Sequence, residues 1–377
     1  MKRRLLAAIA AVASLALILG GCSSGRDAGS GGTAGGGSTT MNPADTLVGI
    51  AMPTKSLERW NKDGANLEAL LQKDGFKTTL QYADNKVDQQ VSQIQNMVNQ
   101  GAKILVIASI DGTALDPVLT TAASKGVKVI AYDRLINKTD HVDYYATFDN
   151  YKVGTLQGTF IKDKIATMSK PINFEPFAGS PDDNNAKFFF AGAWDVLLPL
   201  VKDGTLTCVS NKCPASNDEW TKIGIQGWTS ATAQSEMQNR LNSFYTGGKK
   251  VNVILSPNDS LAIGIEEALQ GAGYTPGADY PILTGQDADK ANTLNIIAGK
   301  QAMTVWKDTR KLSEQVAKMV KQIATGQTVD VNDTKTYNNG NKVVPTYLLD
   351  PMVVTKDNVK SALVDSGFYT AADLGLS

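Results

Sequence analysis

Short apolar runs recur along the chain, and most end in a small cluster of charged, amide or aromatic residues. Leu47–Met52 stops at Pro53, Thr54 and Lys55. Val127–Tyr132 stops at Asp133 and Arg134, and Val251–Leu255 leads to Asn258 and Asp259. Runs of this length, bounded by turn residues, read as buried strands. Between them the apolar spacing becomes helical. A helix is predicted from Ser56 to Lys73, and another carries Val87, Val91, Ile94 and Val98 on one face. A third covers Ala114–Lys125 and is closed by Gly126. Strands at Lys77–Tyr82 and Ile104–Ala108 interleave with these helices. Alternation of this kind predicts right-handed βαβ crossovers and a parallel sheet.

The pattern restarts after Phe148-Asp149-Asn150. Helices over Tyr151–Lys164, Asn185–Val201, Ala231–Tyr245 and Ser260–Gln270 alternate with strands over Ile172–Phe177, Thr221–Gln226, Val251–Leu255 and Pro281–Thr284. A further helix–strand unit, Ala291–Ala298 and Ala302–Val305, precedes a helix striped with Leu312, Val316, Met319 and Ile323. This unit is expected to return to the first domain. Val343–Val354 and its helix are expected to cross to the second. The predicted fold is α/β, with two doubly wound parallel-sheet lobes. Residues 45–149 and 287–342 are assigned to the first lobe, 150–286 and 343–377 to the second. Two such lobes set two strand-end faces against each other across a cleft. In open parallel sheets, ligands bind outside the carboxyl ends of the strands.

The beginning of the chain follows other rules. Lys2, Arg3 and Arg4 precede an apolar segment, Leu5–Leu19, that is too short to span a bilayer stably. It ends in Leu19-Gly20-Gly21-Cys22, which has the form of a lipobox with Cys22 as the lipidation site. Residues 1–21 are therefore expected to be a lipoprotein signal peptide. Residues 22–44 are Gly/Ser/Thr-rich and are expected to form a flexible tether. Removing residues 1–21 takes three basic residues from a chain whose 37 basic and 37 acidic residues balance. The remainder is slightly acidic, which excludes a nucleic-acid footprint. Cys208 and Cys213 are close in sequence, and in an exported protein such a pair is expected to form a disulfide.

Catalytic chemistry finds little support. The single histidine, His141, lies in a polar loop, so no Ser–His or Cys–His pair is offered. There is no G-x-x-x-x-G-K-[ST] phosphate loop and no G-x-G-x-x-G after the first strand. Asp84–Asp88 lacks the carboxylate offsets of an EF-hand. Asp182 and Asp183 are adjacent, and adjacent acids seldom face each other across a substrate. Binding suits the residues better. Lys55, Arg59, Trp60, Asp133, Arg134 and Asp149 gather at first-lobe strand ends. Asp182, Asn184, Trp228, Asn258, Asp259, Gln286 and Asp287 do so in the second. Carboxylates, amides and cations match the hydroxyls of a sugar, and aromatic rings match its C–H faces. Some of these acids, Asp259 and Asp287 above all, could instead cap the following helix. Caps do not account for the added Arg, Lys, Trp and Asn.

Several blocks together resemble the sugar-binding lipoproteins of ABC transporters, in particular the multiple-sugar-binding and D-xylose-binding proteins. They include Met52-Pro53-Thr54-Lys55-Ser56, Arg59-Trp60, Ala131-Tyr132-Asp133-Arg134-Leu135 and Ala146-Thr147-Phe148-Asp149-Asn150. Gly179-Ser180-Pro181-Asp182-Asp183-Asn184-Asn185, Ala231-Thr232-Ala233-Gln234, Ser256-Pro257-Asn258-Asp259, Gly285-Gln286-Asp287-Ala288 and Lys307-Asp308-Thr309-Arg310 complete the set. The resemblance runs from about Val48 to Val364. It implies a periplasmic-binding-protein type I fold whose lobes are joined by a three-stranded hinge and close on a pyranose. It implies sugar contacts from Lys55, Arg59, Trp60, Asp133, Arg134, Asp149, Asn184, Trp228, Asn258, Asp259, Gln286 and Lys307. The insertion around Cys208–Asp218 departs from the family pattern and reads as a surface elaboration.

The resulting expectation is the extracytoplasmic, lipid-anchored binding component of an ABC importer for aldose monosaccharides. It would be a monomer without catalytic activity, cofactor, metal or nucleic-acid partner, docking on membrane permease subunits. A sensor presenting a sugar to a membrane receptor, or a secreted glycoside-active enzyme, are the alternatives.

Overall fold

The computed structural model describes residues 40–277 and 280–376. The expected signal peptide, Cys22 and most of the expected tether lie outside the described residues. The first lobe is built on a six-stranded parallel sheet in the order β11-β5-β4-β3-β1-β2. Its strands are β1 (Leu47–Met52), β2 (Lys77–Tyr82), β3 (Ile104–Ile107), β4 (Lys128–Tyr132), β5 (Tyr144–Phe148) and β11 (Thr346–Leu349). In the central strands both faces are covered, so β3 reads as an unbroken buried run rather than an alternation. Helices α1 (Glu58–Lys73), α2 (Val87–Asn99), α3 (Asp116–Ser124) and α9 (Thr309–Ala324) flank the sheet. Gln90 on α2 is buried because it is needed there. It donates to Ala108 O at 2.9 Å and accepts from Ile110 N at 2.9 Å, which satisfies the backbone where β3 leaves the sheet.

The second lobe has a four-stranded parallel sheet, β7-β6-β8-β9. Its strands are β6 (Ile172–Pro176), β7 (Leu206–Cys208), β8 (Val253–Leu255) and β9 (Ile282–Leu283). Around it lie α4 (Asn150–Ile165), α5 (Asn184–Lys202), α6 (Ser230–Phe244), α7 (Asp259–Gly271) and α8 (Lys290–Ala298). Helices α4 and α5 approach to backbone contact at Gly154 and Gly192, where any Cβ would overlap the facing main chain. Beyond the sheet, β10 (Thr304–Trp306) pairs antiparallel with β12 (Met352–Val354).

Three differences from the sequence reading have clear causes. Residues 287–305 stay with the second lobe, because Val305 N bonds Gly285 O and Asn292 on α8 holds Asp259 O at 3.0 Å. The strand β11 belongs to the first sheet, paired with β5 in the register Thr346↔Tyr145. The chain therefore passes between the lobes after β5, after β10 and between β11 and β12. Finally, Thr221–Gln226 is not a strand. A 3-10 segment, Asn217–Ile223, buries Trp220 and Ile223, and only Gly224 bridges to Ala178.

Cys208 and Cys213 are disulfide-bonded, with Cα atoms 6.0 Å apart. Their loop is more than a surface elaboration. Ser210 donates from N (3.1 Å) and Oγ (2.6 Å) to Glu175, which is fully buried on β6. Arg240 and Tyr245 complete that carboxylate's partners at 3.1 and 2.7 Å.

Candidate functional site

The carboxyl ends of the two sheets meet at one cavity. From the first lobe, the start of α1 supplies Leu57, Arg59 and Trp60, and the turn after β4 supplies Asp133 and Arg134. From the second, the start of α5 supplies Asp183, Asn185 and Phe189. Trp228, Asn258, Gln286 and Asp287 come from its loops, and Lys307 from the crossing after β10.

Charges alternate across the cleft. Arg59 Nη2 lies 2.9 Å from Asp133 and its Nη1 3.4 Å from Asp287, so one guanidinium spans both lobes. Arg134 Nε is 3.0 Å from Asp183, and Lys307 is 3.1 Å from Asp287. Burial raises the Asp133 carboxyl, but Arg59, Lys307 and Arg134 outweigh it and hold the group below the usual carboxylate range. Asp183 is shifted the other way by its burial, against the pull of Arg134. The guanidinium of Arg59 stays charged despite burial, because Asp133, Asp63 and Asp287 surround it.

Aromatic faces frame these charges. Trp60 is nearly inaccessible and carries Arg59 at 4.4 Å and Arg134 at 5.1 Å from its ring centroid. Opposite, Phe189 and Trp228 meet at 6.3 Å, and Trp228 Nε1 donates to Asp183 at 3.1 Å. Trp228 needs the bare backbone of Gly179, since a Cβ there would overlap its ring. Three polar atoms of the lining, Gln286 Oε1, Trp60 Nε1 and Arg134 Nε, are buried without a hydrogen-bond partner among the described residues, the last although Asp183 lies 3.0 Å away. Buried polar atoms are nearly always satisfied, so Gln286 Oε1 and Trp60 Nε1, neither of which belongs to an ion pair, leave hydrogen-bonding capacity unused at the cavity wall.

Three of the eight non-glycine residues with positive φ among the described residues line the cavity. Asp133, Trp228 and Asp287 adopt φ values of 60°, 57° and 101° without being glycine. Such conformations persist only where the surroundings over-determine them, typically at functional sites.

Residues 48–328 match the family profile of the periplasmic binding protein domain. This chain belongs to the periplasmic binding proteins. The multiple sugar-binding periplasmic receptor ChvE of Rhizobium radiobacter is 49% identical over 330 residues, covering 87% of this chain and 92% of its own. The D-xylose-binding periplasmic protein of Escherichia coli is 36% identical over 330 residues, covering 88% and 93%. Among solved structures, an ABC transporter solute binding protein from Clostridium phytofermentans, with bound β-D-glucose, superposes with a TM-score of 0.83. It is 50% identical, over 87% of this chain and 100% of that one.

In this periplasmic binding protein, eight of the twelve residues whose sugar contacts the resemblance implied share the cavity: Arg59, Trp60, Asp133, Arg134, Trp228, Asn258, Gln286 and Lys307. Four do not line it. Lys55 is exposed, with its ammonium 5.0 Å from the Tyr82 ring. Asp149 caps α4 by accepting from Lys152 N at 2.9 Å. Asn184 opens α5 one position before the residue that faces the cavity. Asp259 is buried behind it, accepting from Asp289 N, Gln301 and Thr304 at 2.9, 2.9 and 3.0 Å. Four lining residues were not among the binding candidates read from sequence, Leu57, Asp183, Asn185 and Phe189, while Asp287 was offered at a strand end but left out of the twelve contacts. One signal was available. Asn185 and Phe189 are four apart on α5 and so share a face, which points past Asn184 to its neighbour.

Proposed function

We propose that this protein is the substrate-binding component of an ABC importer for aldose monosaccharides, and that it is a binder without catalytic activity. The observation that carries the reading is the cavity itself. Carboxylates, cations, amides and aromatic rings from two lobes converge on it, and Gln286 Oε1 and Trp60 Nε1 lie in its wall unpartnered. A pyranose offers hydroxyls to the polar groups and C–H faces to Trp60, Phe189 and Trp228. A ligand held by both lobes favours their closure, because only the closed form has both sets of bonds. The β-D-glucose in a structure half identical to this chain supports the same sugar class. The closed form would then dock on permease subunits in the membrane. Cys22 would carry the lipid that keeps the protein at the outer face of that membrane, and the Cys22→Ala precursor would take up no labelled fatty acid.

A thermal-shift and calorimetric screen over D-glucose, D-xylose, L-arabinose and D-galactose tests the reading. A ligand at about 100 times its Kd adds roughly 2.7 kcal/mol of stability. The expected result is one site per chain and no reducing sugar released from glycosides. Turnover abolished by a point mutation in the cleft would make the protein an enzyme instead.

A further inference from the structure

Asp63 sits one turn along α1 from Arg59 and is fully buried. It does not line the cavity. One carboxylate oxygen accepts from Arg59 Nε at 3.0 Å, and the other accepts from the Tyr132 hydroxyl. That hydroxyl also lies 3.1 Å from Ser313 Oγ on α9, and Ser313 is itself fully buried. Behind the cleft, β4 thus supplies the hydroxyl that bonds the carboxylate on α1, and α9 steadies that hydroxyl through Ser313. A guanidinium is a rigid planar fork, so fixing Nε also fixes where Nη1 and Nη2 point. In Arg59 they point at Asp287 in one lobe and Asp133 in the other.

We infer that Asp63 is a positioning residue for ligand capture: held by Tyr132, and through it by Ser313, its carboxylate aims Arg59 across the cleft, and protonating it releases that aim and weakens sugar binding in mildly acidic medium. The inference rests on the sugar-binding reading above and adds a regulatory property to it.

The groups facing Asp63 define the sense of the effect. On its own helix stands Arg59. Tyr132 and Asp133 come from the end of β4, Tyr82 from β2, and α9 presents the uncharged Ser313. Burial raises the Asp63 carboxyl to about 6; Arg59 and Tyr132 oppose the rise and Asp133 adds to it. Above that pH the ionised carboxylate attracts Arg59 Nε. Below it the attraction is lost, and the guanidinium is left to its other carboxylate partners.

Binding isotherms of the full chain with D-glucose and D-xylose, from about pH 5 to about pH 8, test this. In the parent protein, Kd should rise about tenfold at the acidic end. Asp63→Asn should bind at neutral pH as weakly as the parent does at acidic pH, with a flat profile. Tyr132→Phe removes a hydrogen bond to the carboxylate, so the midpoint of its profile should move to higher pH. This second variant keeps the test decisive should Asp63→Asn fail to fold. A parental pH profile in a folded Asp63→Asn variant, or an unmoved midpoint in Tyr132→Phe, overturns the inference while leaving the sugar-binding reading intact. A parent that binds no aldose at any pH overturns both.

Discussion

Asn185 on α5 donates its side-chain amide to the backbone carbonyl of Asp133 at 2.8 Å, tying the second lobe to the turn that ends β4. The same carbonyl accepts from Tyr145 at 2.7 Å and Thr147 at 2.9 Å. Three donors on one oxygen hold Asp133 in its left-handed conformation, a state that costs on the order of 1–3 kcal/mol and needs such support. Two of the donors belong to the first lobe, and the third reaches over from the second. The Asn185 bond thus links the two lobes directly, and under the proposed function it would favour their closure.

Replacing Asn185 by Ala should weaken aldose binding by at least about tenfold, equivalent to about 1.4 kcal/mol. It removes a direct lobe-to-lobe bond and leaves the buried Asn150 amide without its 2.9 Å acceptor. Asn185→Asp retains the acceptor for Asn150 and Tyr145 but loses the donor to Asp133, so it should not restore affinity. Calorimetry on both variants checks this. Parental affinity in either one would mean that the bond to Asp133 is incidental to closure.

Asn258 has two duties, and they can be separated. Its Oδ1 caps α7 by accepting from Leu261 N at 3.0 Å, and its side chain also lines the cleft. Asn258→Ala should therefore lower both sugar affinity and the melting temperature of the sugar-free protein, since a lost N-cap costs about 1 kcal/mol. Asn258→Asp keeps a capping oxygen at the helix N-terminus but has no amide to donate. It should melt near the parent and still bind sugar at least about tenfold more weakly. Equal losses of stability in the two variants would show that the cap is not what Asn258 contributes to the fold.

The parallel-sheet plan was legible because buried strands such as Ile104–Ile107 and striped helices such as α9 carry strong periodic signals. Lobe membership was not legible for β11, because pairing with β5 depends on a long-range register that no local pattern encodes. The cavity was readable where a charged residue directly follows a strand, as at Asp133 and Arg134. It was not readable where helix phase decides, as between Asn184 and Asn185, or where an acid serves the fold, as at Asp149 and Asp259. Asp287 was read as a possible helix cap, yet it pairs with Arg59 and Lys307. Its partners are distant in sequence, and only the tertiary structure brings them within reach.

The disulfide loop makes a prediction about stability alone. Cys208–Cys213 constrains Ser210, which provides two of the donors to the buried Glu175 carboxylate. Opening the loop should cost roughly 2 kcal/mol in chain entropy. Donors lost from Glu175 would add about 1–3 kcal/mol. Cys208→Ser with Cys213→Ser should lower the melting temperature, and Ser210→Ala alone should reproduce part of the drop. Neither should change aldose affinity, because the loop does not line the cleft. A Ser210→Ala variant as stable as the parent would assign the whole effect to chain entropy.

Asp289 carries a pH dependence of the opposite kind from a salt-bridged acid. Its backbone N–H donates to Asp259 at 2.9 Å, which brings two aspartates together near Asp287. Burial and then Asp287 push the Asp289 carboxyl up to about 8, and Asp259 is raised as well by its burial and by Asp289. In the unfolded chain an Asp titrates near about 3.9. Between these values the folded protein holds a proton that the unfolded chain has released. Stability rises with pH only where the unfolded state binds more protons, so here it falls as pH increases from about 4 to about 8. Asp289→Asn removes the titrating group and its repulsion of Asp287. The sugar-free variant should melt above the parent at alkaline pH, and the gap should close as the pH falls toward about 4. For domains of 150–250 residues, each kcal/mol relieved corresponds to roughly 2–4 °C. Melting curves across the pH range decide it: a gap independent of pH, or a variant that melts below the parent at alkaline pH, would mean that Asp289 is ionised in the fold and stabilised there.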